Sequence, residues 1–213
     1  MLKLFDYLPS QNAYKARLLF SHLDLPYETV QVGIFDGEGQ TDAYRAINPT
    51  GAVPAVQLED GRVLAESMAI LCYFAEGTPY LPRDAFLRAK TLQWLSFEND
   101  YLQNSIGSLR YWALTGKRER RPSELVAGKV HTATRVLGIL DRALASQPFL
   151  VGRDYTIADM ACFAYTHLAA DAELPLAEYG NVTAWLSRVR SQPRFLDKVY
   201  PYSVDPGSSR ELP

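Results

Sequence analysis

The chain has 213 residues, 47% of them hydrophobic and 22% charged, and its 22 Lys plus Arg against 24 Asp plus Glu leave a formal net charge of -2. That composition is ordinary for a globular chain, and the charge balance speaks against a nucleic-acid partner, which would select a basic excess. No run approaches the roughly 18 consecutive apolar residues of a membrane helix, and the N-terminus lacks a signal-peptide pattern, so a cytoplasmic protein with no membrane partner is expected.

Strand and helix signals alternate through the first third. Lys3-Leu4-Phe5 reads as a short strand closed by Pro9 and Ser10. Ala13, Ala16, Leu19, Phe20 and Leu23 then recur at helix spacing. After Leu25-Pro26, residues 27–32 alternate like a half-buried strand. Gly33 to Gly39 is a loop too irregular to cradle a phosphate, and a short helix is expected over residues 41–47. Asn48-Pro49-Thr50-Gly51 is a turn, and Pro54 precedes the strand Ala55-Val56-Gln57-Leu58. Asp60-Gly61 is a hairpin signal that returns Arg62-Val63-Leu64 antiparallel. Glu66-Ser67 opens a helix that Gly77 stops. The first two strands bracket a helix and should be parallel; the last two form a hairpin. A small mixed α/β sheet with helices on its faces follows.

Beyond Pro79-Tyr80-Leu81-Pro82 the strand signals vanish. Asp84 caps a long expected helix reaching Leu114, with Trp94 in the helical core. Lys117 to Arg121 is a basic run interrupted by Glu119, read as a solvated connection. A second long helix runs from Ser123 to about Ala145. Thr156-Ile157-Ala158-Asp159 fits a capping box with Asp at the fourth position, and the apolar helix after it should be central and buried. Residues 182–189 and 195–199 close the helical region. Three bodies are expected: an α/β domain over 1–77, an all-helical domain over 84–200, and a frayed tail over 201–213.

His22, His131 and His167 show no metal-ligand spacing, and no metal site is expected. Cys72 and Cys162 lie in apolar helical text and read as buried small hydrophobes.

Four segments, taken in order, resemble the cytosolic glutathione transferase superfamily. They are Pro9-Ser10-Gln11-Asn12, Gly51-Ala52-Val53-Pro54, Glu66-Ser67 and the run from Gly152 to Asp159. Each is weak alone; their order and spacing on the expected elements carry the resemblance, which covers nearly the whole chain. It implies a thioredoxin-like N-terminal domain joined to an all-α bundle. Within the superfamily the chain is most similar to bacterial serine-type enzymes of the phi or nu classes.

The resemblance implies glutathione as co-substrate, a hydrophobic electrophile as its acceptor, and a homodimer. A free thiol has a pKa of about 8.5 and reacts as its thiolate, so the protein must favour the anion. In this reading Ser10 donates a hydroxyl hydrogen bond to the sulfur, with Asn12 as a second donor. The N-terminus of the first helix adds positive potential. Ser10 is equally accounted for as a plain helix cap. The resemblance implies a cis bond before Pro54 that presents the backbone of Val53 to the cysteinyl part of glutathione. It places Ser67 at the γ-glutamyl carboxylate and Glu66 near the γ-glutamyl amino group, while ordinary helix-start chemistry explains both residues as well.

Two departures stand out. Ala52 replaces a polar residue common in relatives, and the loop ending Gly39-Gln40-Thr41 lacks the usual His or Lys for the glycyl carboxylate. Gln40 is the expected neutral contact there, with Lys15 or Arg45 as substitutes. The electrophile pocket is expected between the domains, lined by Leu8, Phe35, Leu109, Tyr111 and Trp112. The function expected is a glutathione transferase, with reduction of organic hydroperoxides as a companion activity. Its rivals are a non-enzymatic binding or assembly module and a thiol–disulfide oxidoreductase; the latter normally uses a cysteine at the first helix, and none precedes Cys72.

Overall fold

The computed structural model describes residues 1–212, which divide into two compact units, residues 1–74 with 193 onward, and residues 75–192. The first unit is built on four strands, β1 (Lys3–Asp6), β2 (Glu28–Gln31), β3 (Ala55–Gln57) and β4 (Val63–Ala65), in the order β2-β1-β3-β4. β1 pairs parallel with β2, with Leu4 opposite Thr29; it pairs antiparallel with β3, and β3 antiparallel with β4. Helix α1 (Gln11–His22) makes the crossover between the parallel strands. The short α2 (Asp42–Arg45) and α3 (Ser67–Ala75) complete the unit, the last residue of α3 falling at its boundary.

Strand alternation explains how the sheet is covered. Leu4 and Val56 point to one face, where they join Ala16 and Phe20 of α1 and Ile70 of α3 in a buried cluster. Phe20 anchors it, with Tyr27 and Phe74 rings at 5.2 and 4.8 Å. Phe5 points the other way, and its ring meets Tyr44 of α2 edge-on at 6.0 Å.

The C-terminal segment differs from expectation. Residues 195–199 are not helical, and residues 193–212 belong with the first unit rather than to a helical domain or a loose tail. Tyr14 Oη donates to the Leu196 carbonyl at 2.6 Å, Ser21 Oγ to Arg194 at 2.8 Å, and Tyr7 Oη to Asp205 Oδ2 at 2.9 Å. His22 Nδ1 lies 2.8 Å from the Pro193 carbonyl, and burial lowers its pKa. These bonds reach main-chain carbonyls and distant side chains, so no periodic pattern in the sequence marks them.

The second unit is helical: α4 (Ala85–Phe97), α5 (Ser108–Leu114), α6 (Ser123–Ala143), α7 (Ile157–Thr166) and α8 (Gly180–Arg190). The long helix expected from Asp84 to Leu114 is helical throughout, but it widens to π geometry over Glu98–Gly107. Competing donors reach its carbonyls there: Ser108 Oγ and Lys129 Nζ both donate to Asn104 O, at 2.9 and 2.6 Å. Gly107 permits close approach to α7, since a Cβ there would stand 2.7 Å from the Tyr165 ring.

Every residue of α7 is buried. Its capping box is formed: Thr156 N–H donates to Asp159 Oδ2 at 3.0 Å, and Ala158 N–H donates to Thr156 Oγ1 at 3.3 Å. Asp159 also accepts from Leu150 N–H and Trp185 Nε1, each at 2.9 Å. Cys162 is buried, whereas Cys72 is only half-buried. Among the described residues no helix is long and apolar enough to cross a membrane.

Candidate functional site

The loop from β1 into α1 carries the first candidates. Ser10 is the N-cap of α1, extended at φ -66 and ψ 122, and its Oγ accepts from Ala13 N–H at 3.2 Å. Accepting that bond strengthens the hydroxyl as a donor, and its own hydrogen has no acceptor among the described residues. Arg17, about two turns further on, holds the loop in place. Its Nη1 donates to Asp6 Oδ2 at 2.8 Å and its Nη2 to the Leu8 carbonyl at 2.9 Å. Both side chains of the pair are buried, at 6% and 0% exposure. Burial pushes the Asp6 carboxyl above its ordinary pKa, against the lowering effect of the Arg17 charge beside it.

Asn12 lies in the first turn of α1, and Lys15 Nζ donates to its Oδ1 at 2.8 Å. Lys15 is wholly buried. It is the residue expected as a substitute partner for a glycyl carboxylate, and its ammonium donates to Asn12 one turn earlier on the same helix.

The second group of candidates surrounds the turn at residues 48–54. Asn48 organises it, accepting from Thr50 N–H at 3.2 Å and donating Nδ2 to the Ala52 carbonyl at 2.7 Å. Tyr44 Oη donates to the same carbonyl at 2.7 Å, and burial raises its pKa so that the phenol keeps its proton. The Val53–Pro54 bond is cis. The N–H and C=O of Val53 have no partner among the described residues, so they form an open edge beside β3. Gly39 packs against this turn: a Cβ on Gly51 would stand 2.5 Å from the Gly39 carbonyl oxygen. That approach brings Gln40 beside Gly51, where Arg45 Nη2 donates to Gln40 Oε1.

Glu66 adopts a left-handed backbone, φ 66, just before α3, and Ser67 opens the helix with 7% exposure. A non-glycine residue held there costs of order 1–3 kcal/mol, and such strain clusters at functional sites. The first N–H groups of α3, like those of α1, have no intrahelical acceptors and suit a carboxylate.

Of the residues expected to meet an electrophile, Leu8 is half-buried and Phe35 is buried edge-on against Tyr7, with centroids 5.6 Å apart. In the second unit Leu109 is wholly buried in the manner of a core residue, and Tyr111 and Trp112 are half-buried. Lys117 corrects the reading of residues 117–121 as a solvated connection: it is wholly buried, donates to Tyr111 Oη, and lies 4.3 Å from that ring's centroid. Arg121 stacks over Trp112 at 5.6 Å. The charged text hid both contacts, and the aromatic pair Tyr111-Trp112 was the one local hint of them.

Comparison with known proteins gives consistent results. Residues 9–76 match the model of the glutathione S-transferase N-terminal domain, and residues 110–193 that of the C-terminal domain. The chain is 30% identical over 200 residues to the disulfide-bond oxidoreductase YfcG of Escherichia coli K12, covering 91% of this chain and 92% of that protein. It is similar to a glutathione S-transferase structure from Pseudomonas fluorescens Pf-5, with TM-score 0.89, 38% identity, and coverage of 92% and 97% of the two chains. It is also similar to a Burkholderia graminis glutathione transferase solved with two glutathione molecules bound per subunit. There the TM-score is 0.81 at 26% identity, over 91% and 85% of the chains.

Proposed function

Since the chain belongs to the glutathione S-transferase family, we propose that it binds glutathione on its first unit and delivers the thiolate to hydrophobic electrophiles. The observation that carries this reading is Ser10: a hydroxyl fixed at the start of α1, polarised by Ala13 N–H, with its own hydrogen left for a ligand. Donated to sulfur, that hydrogen favours the anion over the thiol. The α1 N-terminus adds positive potential, and Asn12 is the second donor. Val53 supplies an N–H and a C=O for the cysteinyl backbone of the tripeptide, as a strand edge does for an extended peptide. Ser67 at the α3 N-terminus takes the γ-glutamyl carboxylate, the exposed Glu66 carboxylate takes the amino group, and Gln40 with Arg45 faces the glycyl carboxylate. Pro54 fixes the turn that carries Val53.

In transfer, the sulfur lone pair forms a C–S bond as the leaving group departs with its electron pair. In hydroperoxide reduction, the thiolate takes the terminal oxygen, releasing an alcohol after protonation. A second glutathione then converts the sulfenic acid to glutathione disulfide and water. The acceptor-side residues in this reading are Leu8, Phe35, Leu109, Tyr111 and Trp112. The proposal extends to a serine-type subclass akin to the phi or nu enzymes, a cytoplasmic homodimer, and domains over 1–77 and 84–200 modified by the C-terminal segment described above.

A second reading, glutathione-dependent disulfide reduction, is favoured by the 30% identity to a disulfide-bond oxidoreductase. Cys72 lies in α3 and no cysteine stands at α1, so the attacking sulfur comes from glutathione. One glutathione thiolate attacks the substrate disulfide, and a second resolves the mixed disulfide to glutathione disulfide and free thiol. Rates with an aromatic halide and with a small dialkyl disulfide, each at saturating glutathione and each with Ser10→Ala, separate the readings. Transfer predicts that the halide rate dominates and falls in the variant. A chain that binds no glutathione at millimolar concentration fits the assembly-module alternative and contradicts both.

A further inference from the structure

A cleft of about 260 Å³ lies in the second unit between the π stretch and α6. Asp100 and Asn104 line one wall; Glu124, Leu125, Gly128 and Lys129 line the other. No part of the glutathione reading uses it. Helical spacing explains why these side chains meet: Asn104 follows Asp100 by four residues, and positions 124, 125, 128 and 129 share one face of α6. The π geometry of the first wall is a form that frequently marks functional positions in helices.

Lys129 Nζ donates to both the main-chain and the side-chain oxygen of Asn104, the former at 2.6 Å. Those two bonds match the two N–H hydrogens of a neutral amine and leave its lone pair directed away from Asn104. An ammonium would carry a third hydrogen, and among the described residues no carboxylate forms an ion pair with Lys129. Burial lowers its pKa, which favours the same neutral form. Gly128, next to it, would meet nothing within 4 Å on gaining a Cβ. A residue poorly suited to mid-helix thus keeps the cleft open beside the amine.

We propose that Lys129 is a covalent capture site for small neutral aldehydes, seated in this cleft. The amine lone pair attacks the carbonyl carbon, forming a C–N bond while the carbonyl oxygen takes up a proton. The carbinolamine then loses water, so one aldehyde and one amine become one imine and one water, with no change of oxidation state. Asp100 and Glu124 supply the carboxylates that carry the proton from nitrogen to the departing oxygen. Their charge also disfavours anionic carbonyl compounds, and Leu125 offers an alkyl chain an apolar contact. This chemistry needs no glutathione, so it stands or falls apart from the function proposed above.

The test exposes wild type, Lys129→Arg and Gly128→Leu to propanal with cyanoborohydride, which reduces the imine to a stable secondary amine. Propylated lysines are then mapped by peptide mass spectrometry. Lys3, Lys90 and Lys198, none of them buried, serve as internal references. In wild type Lys129 should be labelled about tenfold faster than each reference, because the cleft adds local concentration to the amine's reactivity. Lys129→Arg should lose that label. Gly128→Leu fills the cleft but leaves the amine, and should bring Lys129 down to the reference rate with no drop in melting temperature. With glyoxylate, an anionic aldehyde, the preference for Lys129 should shrink, and the Asp100→Asn/Glu124→Gln double variant should restore it. Wild-type Lys129 labelled no faster than the references overturns the proposal, and that comparison needs no variant to fold. Full labelling retained in Gly128→Leu overturns it as well, since the reactivity would then belong to the lysine without its cleft. An undiminished preference with glyoxylate contradicts the neutral-aldehyde class.

Discussion

Arg17 donates from Nη2 to the carbonyl of Leu8 at 2.9 Å, tying the middle of α1 to the loop that ends at Ser10. The same guanidinium is paired with Asp6 at the end of β1, so one buried side chain fixes both ends of the segment leading into the candidate site. A stable pair was not needed for this; a buried ion pair is weak evidence of net stabilisation. What it supplies is a double anchor for the loop, at Asp6 and at Leu8.

Removing one partner of a buried pair leaves the other charged and unsolvated. Arg17→Met should lower the unfolding free energy by about 3–5 kcal/mol, read by urea denaturation. Arg17→Lys keeps a charge for Asp6 but lacks the planar fork that also reaches Leu8. It should fold and show reduced kcat/KM; an unaltered kcat/KM would show that the Leu8 contact does not position Ser10.

Asp159 gives a pH signature in the second unit. Burial raises its pKa from 3.8 to about 6, against four hydrogen bonds that lower it. A carboxyl with a raised folded pKa binds its proton more tightly when folded, so its contribution is largest at low pH and is lost as pH rises through 6. Relative to Asp159→Asn, which does not titrate, wild type should lose about 1.3 kcal/mol of stability between pH 5 and 7. Parallel stability profiles for the two proteins over that range would contradict the assignment.

The packing of Gly39 on Gly51 leaves no room for a methyl group. Gly39→Ala must push the Gln40 loop off the turn carrying Val53, at a cost of about 1–3 kcal/mol. Calorimetry should show weaker glutathione binding together with a lower melting temperature. Binding at wild-type strength would place the glycyl contact elsewhere.

Two contacts of the C-terminal segment should differ in weight. Tyr7→Phe removes a hydrogen bond from a residue 5% exposed and should cost about 0.5–1.5 kcal/mol. Arg210→Ala breaks an ion pair whose side chains are both more than 60% exposed and should leave the melting temperature unmoved. The reverse order would mean that the segment is held by charge rather than by buried polar contacts.

The sheet and most helices were legible because their signals are local. Leu4 and Phe5 alternate, Ala16 and Phe20 repeat at helix spacing, and Asp60-Gly61 marks the hairpin, with Gly61 at φ 86. The site candidates were legible through short motifs at the edges of those elements. Lys15 and Lys117 were not, because charged text reads as solvated while their burial depends on the fold. Lys129 reaches the Asn104 carbonyl inside the π stretch from 25 residues away, and Tyr7 meets Asp205 across 198 residues. Neither pairing leaves a mark in local sequence.

In the proposed function the Ser10 hydroxyl stabilises a glutathione thiolate. The direct measurement is kcat/KM for aromatic-halide conjugation from pH 6 to 9 in wild type and Ser10→Ala, with glutathione affinity measured alongside. The variant should still bind glutathione, lose at least tenfold in rate at pH 6.5, and recover toward wild type as the pH rises past the thiol's own pKa. A variant with the wild-type rate and pH profile would contradict it.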